Sequence, residues 1–173
     1  TLLRINEWMA APESGEDWFE LYNPQSVPAA IGGCSLTDDL SQPAKCQLPP
    51  HSFIGHGASG FTVFHADGNP SAGADHVNFR FNNNGEAIGL YTSGGAVIDT
   101  VLFGAQAMGV SEGRLPDGAT NLVRFPGSAT PGAPNRPSSD APLVTSTADS
   151  GPGSLRQALA AAAAGAPIRF AIT

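Results

Sequence analysis

The sequence predicts an all-β chain, and three observations carry that expectation. Apolar residues alternate with polar ones at period two from Thr1 to about Leu115. Turn-forming residues recur at roughly ten-residue intervals, the rhythm of a sandwich or barrel. The 173 residues include 21 Gly and 15 Pro and only 13% charged residues, which suits short strands and turns better than long helices.

Taken in order, Leu3 and Ile5 alternate with Arg4 and Asn6, and Phe19 and Leu21 alternate with Glu20 and Tyr22. One row of each faces a core and the other faces water. "GFTVFHADG" (Gly60 to Gly68), the row Val77, Phe79 and Phe81, "EAIGLYT" (Glu86 to Thr92) and "AVIDTVLFG" (Ala96 to Gly104) predict further strands. Asn23-Pro24, Asp67-Gly68, Asn84-Gly85, Ser93-Gly94-Gly95 and Asp117-Gly118 supply the turns, because these residues tolerate positive φ or preset φ near −65°. Hairpins are expected at Asn82 to Gly85 and at Ser93 to Gly95.

Cys34 and Cys46 stand in two short alternating segments that predict the arms of a hairpin folded about Leu40. A cross-strand disulfide is expected, worth about 3 kcal/mol in the chain-entropy account and requiring an oxidising compartment. The alternative is a pair of buried free thiols.

The pattern changes after Arg124. Residues 125–142 contain five Pro, which withhold amide donors and fix φ, so an extended linker is expected there. Beyond it, "SLRQ" (Ser154 to Gln157) has the form of a capping box. Leu155, Ala158, Leu159 and Ala162 follow at helical spacing, and Gly165 and Pro167 stop the pattern. A helix from Leu155 to about Ala164 and a strand from Ile168 to Ile172 are expected. The domain division is thus 1–124 sandwich, 125–142 linker and 143–173 helix and strand.

Formal net charge is −7, with 8 Lys plus Arg scattered along the chain, so no basic stripe exists for nucleic acid. No apolar run approaches the ~20 residues that cross a bilayer, and the amino terminus lacks a signal-peptide layout. A processed or partial chain is the expectation.

The ordered blocks "RINEWMA", "DWFELYNP", "IGGCSLTDD", "CQLPPHSFIGHG", "FTVFHADG", "VNFRFNNNGEAIGLYTSGGAVIDTV", "GVSEGRLPDG" and "TPGAPN" resemble a bacterial lamin-tail domain over Leu3 to Asn135. The resemblance implies an immunoglobulin-like β-sandwich. It also implies a non-catalytic accessory module of a secreted or surface-attached protein, whose partners are other domains of the parent and a cell-surface or polysaccharide ligand. The stretch "LVTSTADSGPGSLRQAL" followed by "IRFAIT" resembles the capping helix and first rung of secreted right-handed parallel β-helix proteins, over Leu143 to Thr173. A single rung cannot stack alone, so this end of the chain is expected to be severed from further rungs.

Candidate sites are few. Trp8, Trp18 and Tyr22, if surfaced together, would stack on sugar rings, against burial in the core as the alternative. Asp38, Asp39 and Asp67 could gather oxygen ligands for Ca²⁺, but lack a D-x-D-x-D loop and suit turns. Glu7 and Glu20 could face each other as a glycosidase pair would, yet strand carboxylates are expected in the solvated row. Of the four His, at 51, 56, 65 and 76, His65 and His76 with Asp67 and Asp75 would make a carboxylate-assisted metal site, and so a metal-dependent hydrolase, if their loops met. Nothing in their spacing forces that. Ser111 has no G-x-S-x-G elbow or neighbouring base, and the Gly-rich "GHGASG" lacks the G-K-[ST] ending of a phosphate loop. No catalytic residue, bound metal or cofactor is therefore assigned from the sequence.

Overall fold

The computed structural model describes residues 2–138, 141–162 and 165–172. The chain runs β1 (Arg4–Met9), β2 (Trp18–Tyr22), β3 (Ala29–Ala30), β4 (Ser35–Thr37), β5 (Cys46–Gln47), β6 (Phe53–Ile54), a 3-10 turn (Gly57–Ser59), β7 (Phe61–His65), β8 (Gly85–Tyr91), β9 (Val97–Gly104), β10 (Val110–Arg114), β11 (Leu122–Pro126), β12 (Leu143–Val144), α1 (Leu155–Ala161) and β13 (Arg169–Phe170). Two antiparallel sheets form the body, one in the order β11-β10-β1-β2-β7 and the other β5-β4-β8-β9. A short β3–β6 ribbon accompanies them. This is the two-sheet sandwich that, beside a barrel, the strand and turn rhythm predicts, and it is of the immunoglobulin-like class that the family resemblance implies.

The inward rows of both sheets meet in one core. Phe19 stacks on Phe64 at 5.4 Å between centroids and lies 5.7 Å from Phe81, while Trp8 meets Phe103 at 6.1 Å. Such ring pairs add about 0.5–1.5 kcal/mol each beyond their buried area. Val77, Phe79 and Phe81 bury their side chains as the alternation predicts. Their backbone, however, joins the fold only through isolated bridges, His65 with His76 and Asp67 with Arg80, so the expected 82–85 hairpin is a turn into β8 and not a link between two strands. The turn at Ser93 to Gly95 does close a hairpin, β8 to β9, with Gly95 at φ +81°.

One buried ion pair ties the two sheets. Asp99 of β9 accepts from Arg114 Nη2 of β10 at 3.0 Å and from the Ile5 amide of β1 at 2.9 Å, and Arg114 Nε donates to the Ile5 carbonyl at 2.8 Å. A second device is the bulge between Ile5 and Glu7, where the β1–β2 register shifts. Strict alternation would put Ile5 and Glu7 on one face. The extra residue, Asn6, keeps Ile5 and Trp8 in the core and turns Glu7 to the opposite face.

The expected linker begins inside β11. Phe125 pairs with Ser111 and is fully buried. Residues 130–135 then lie across the outer face of the five-stranded sheet as a strap, held by buried side chains of β1 and β2. Edge placement explains why Pro126 is tolerated in β11. Further on, β12 and β13 pair in parallel, Leu143 with Arg169 and Val144 with Phe170, joined through α1. The first half of the capping box forms, Ser154 Oγ accepting from the Gln157 amide at 3.2 Å, while Gln157 Oε1 reaches one residue past the N-cap to accept from the Gly153 amide at 2.7 Å, and the Ser154 amide donates to the Gly151 carbonyl. Ala158 is the buried helix residue, while Leu155 and Leu159 are exposed. The expected helix end at Ala164 lies outside the described residues. Among the described residues, no helix is long and apolar enough to cross a membrane.

Candidate functional site

Among the described residues, and apart from the Asp99–Arg114 pair, two clusters of carboxylates and histidines are candidate sites. The first lies under the strap. Glu7 and Glu20 stand opposite one another in the β1–β2 register, and both are fully buried. The expectation of a solvated row fails here because the strap covers that face. Glu7 accepts from Ser111 Oγ at 2.5 Å, from the Thr130 amide at 3.1 Å and from Thr130 Oγ1 at 2.9 Å. Glu20 accepts from Asn6 Nδ2 at 3.1 Å and from the Gly132 amide at 2.6 Å. Asp117 completes the network, accepting from Asn6 Nδ2 at 3.0 Å and from the Asn135 amide at 2.9 Å. Burial drives the Glu20 carboxyl up to about 7, against the pull of its two donors, with the charges of Glu7 and Asp117 adding to the rise. Burial likewise raises Glu7, opposed by its bonds to Ser111 and Thr130. Each carboxylate thus holds a backbone amide of the strap, and neither opens to a cleft described below.

The second group sits at the end of β7. The backbone of His65 is clasped from both sides: its amide donates to the Asp75 carbonyl at 2.8 Å, and its carbonyl accepts from the Val77 amide at 2.9 Å. This parallel bridge sets His65 and His76 side by side, with their rings stacked at 4.7 Å and 20°. Asp67, held in an Asx turn by the Asn69 amide at 2.9 Å, places Oδ2 2.7 Å from His76 Nδ1. That bond raises the His76 pKa, and it also fixes the ring's orientation. For Asp67, burial works upward, but the Asn69 amide and the His76 ring outweigh it and hold the carboxyl below its ordinary value. Glu16 approaches His65 Nδ1 at 3.9 Å.

Ligand atoms of His65, Asp75 and His76 lie within 4.8 Å of one another, as do those of Glu16, Asp67 and His76. Gly73 makes room for this arrangement: a Cβ there would stand 2.5 Å from Asp75 Oδ1 and 3.2 Å from His76 Cδ2. His76 forms part of the wall of a cleft of about 330 Å³ with Cys46, Pro49, Pro70 and Ser71, and Asp75 borders a groove of about 230 Å³ with Phe53 and Thr62. The spacing of these residues in sequence does not announce the convergence, which the parallel bridge alone produces.

The remaining candidates separate. Trp8 is fully buried in the core, so the three aromatics do not surface together. Trp18 and Tyr22 share the outer face of β2 with Glu20 between them, Tyr22 stacking on Phe61 at 4.6 Å. The expected disulfide is not formed: Cys34 and Cys46 are buried free thiols. The β4–β5 register pairs Cys46 with Leu36, which leaves Cys34 diagonal to it. Diagonal neighbours stand roughly 7–8 Å apart at Cα, beyond ordinary disulfide reach. Asp38 pairs with Lys45, and Asp39 accepts from the Ser41 amide and the Gln42 side chain within its own turn. These two do not gather with Asp67 in either ligand cluster. His51 and His56 are exposed in other loops. Ser111 serves as a donor to Glu7, a role that nothing in its local sequence signals.

A two-sheet antiparallel sandwich, whose buried polar network staples its own chain, defines an immunoglobulin-like domain. The Lamin Tail Domain family model matches residues 2–105, more than half of the chain, and the protein belongs to that family. The structure carries the same sheet beyond the match, since β10 and β11 add two strands beside β1. No curated protein and no solved structure matches the chain.

Proposed function

We propose that the chain is a non-catalytic accessory module of a larger secreted or cell-surface bacterial protein, which holds other domains of that protein and contacts a cell-surface or polysaccharide ligand. The observation that carries this reading is the fate of Glu7 and Glu20. The pair faces across β1 and β2 as an acid–base pair would, yet its oxygens are committed to the chain's own donors. A general acid or base needs access to the proton it moves, and a covered carboxylate has none. Family membership supports the same reading.

The test pairs two measurements on the purified protein. Sedimentation with insoluble bacterial cell-wall polysaccharide should deplete the protein from the supernatant. A panel of glycoside, ester and phosphoester substrates, with and without added Zn²⁺, should give no turnover. Metal-dependent turnover abolished by His76→Ala would instead favour a metal-dependent hydrolase built on His65, His76 and Asp67.

The tail supports a second, structural role. A parallel pair β12–β13 connected through a capped helix has the layout of a strand–helix–strand rung, which supports use as a spacer or cap for a β-helix or surface stalk. Fusing three β-helix rungs after residue 173 and measuring whether the rungs unfold cooperatively with the tail tests it; independent melting would count against the role.

A further inference from the structure

We propose that His65, His76 and Asp75 bind one divalent transition-metal ion, with Asp67 fixing the His76 ring as a positioning residue. The set is two imidazoles and one carboxylate, the donor chemistry of zinc, nickel and copper sites and a poor match for the all-oxygen shell that calcium takes. His76 Nδ1 is already taken by Asp67 Oδ2 at 2.7 Å, which leaves Nε2 as its free lone pair. A carboxylate on the far nitrogen is the usual partner of a metal-bound histidine, setting its tautomer and direction.

The two halves of the site differ in freedom. On one side, Asp67 is buried and held by the Asn69 amide, so His76 is fixed before any ion arrives. On the other, the His65 side chain is 40% exposed and Asp75 is exposed, so both are free to adjust. Donors within 4.8 Å of one another must draw in to about 3.4 Å around an ion with bonds of about 2.0–2.1 Å. Rotation of His65 and Asp75 supplies that closure without moving the clasped β7 backbone. Gly73 keeps the space that the Asp75 carboxylate needs, as its missing Cβ shows. The fourth position faces solvent beside the cleft walled by His76, leaving room for water or a partner's donor.

Trp18 provides a reporter. It lies directly across from His65 in the β2–β7 register, whereas Trp8 is enclosed in the core. Titration of the full chain with Cu²⁺ should quench tryptophan fluorescence, Trp18→Phe should remove most of that quench, and calorimetry with Zn²⁺ should give one site per chain. His76→Ala and His65→Ala should each weaken Zn²⁺ binding at least 100-fold, and Asp67→Asn by about 10–100-fold, while millimolar Ca²⁺ leaves the signal unchanged. His65→Ala guards against misfolding of the His76 variant, because the His65 ring is partly exposed, and near-ultraviolet circular dichroism verifies each fold. Zn²⁺ affinity weaker than about 1 mM, or affinity unchanged in a correctly folded His65→Ala protein, would overturn the assignment. So would binding that follows His51→Ala or His56→Ala instead.

Discussion

Glu7 and Glu20 face each other across β1 and β2, and each holds a different amide of one strap, Thr130 for Glu7 and Gly132 for Glu20. Two carboxylates so placed repel when both are ionised, and the cover that dries them makes charge harder to keep. The strap therefore depends on two groups whose ionised form supplies its bonds but resists burial.

The sign of the resulting pH dependence follows from Glu20, whose carboxyl rises from 4.5 to about 7 on folding. Between those values the native chain holds a proton that the unfolded chain has released, so stability falls as pH rises through the window and levels above it. The difference corresponds to about 3 kcal/mol. Urea unfolding from pH 4 to 8 should show this decline, and Glu20→Gln should reduce its slope, leaving the part of the same sign that Glu7 supplies. An equal slope in the variant would assign the effect elsewhere.

Gly132 should tolerate alanine poorly for a backbone reason alone. Its φ is +80°, and a Cβ would meet nothing within 4 Å. Gly132→Ala should lose about 1–2 kcal/mol by chemical denaturation. Gly113→Ala offers the contrast: its Cβ would stand 2.5 Å from the Asn6 carbonyl oxygen, inside the β1–β10 ladder, and no soluble folded protein is expected.

Removal of the inter-sheet ion pair should be more damaging than its exposure to salt. Asp99→Ala leaves the Arg114 guanidinium buried without its carboxylate and the Ile5 amide without an acceptor. A loss of about 3–5 kcal/mol is expected. Asp99→Ala with Arg114→Met should recover part of it; a double variant no more stable than the single would show that the charge left behind is not the cause.

For the cysteines, Ellman's reagent under denaturing, non-reducing conditions should titrate two thiols per chain, and little under native conditions because both are buried. Burial also raises the Cys34 thiol pKa, opposed by its bond to the Ser93 amide, which further slows native reaction. No titratable thiol after unfolding would restore the disulfide that the spacing suggests.

Much of the sandwich was legible because its strands obey simple rules. The rows in β7, β8 and β9, the glycine turn at 93–95 and the Ser154–Gln157 capping box act over a few residues, so local pattern reveals them. What escaped acts over distance. The bulge at Asn6 reverses the faces of Glu7 and Trp8, and a period-two pattern has no mark for an inserted residue. A proline-rich stretch reads as a linker, since its docking depends on amides at Thr130 and Gly132 meeting carboxylates more than 100 positions earlier. The His65–His76 contact depends on a bridge across an intervening loop, and the Cys34–Cys46 register on a hairpin whose centre lies one residue beyond the apparent one.

The strap also sets an order of events during synthesis. Glu7 and Glu20 leave the ribosome well before their amide partners, which are separated from them by 123 and 112 positions. Until residue 132 has cleared the exit tunnel, the nascent sandwich carries two carboxylates with no cover and β1 remains wet on one side. The sheet can begin early, but the domain locks only when the later-made strap returns to β1 and β2. A domain so arranged closes only on a chain that has been made through residue 132, so synthesis interrupted before the strap leaves its outer face open.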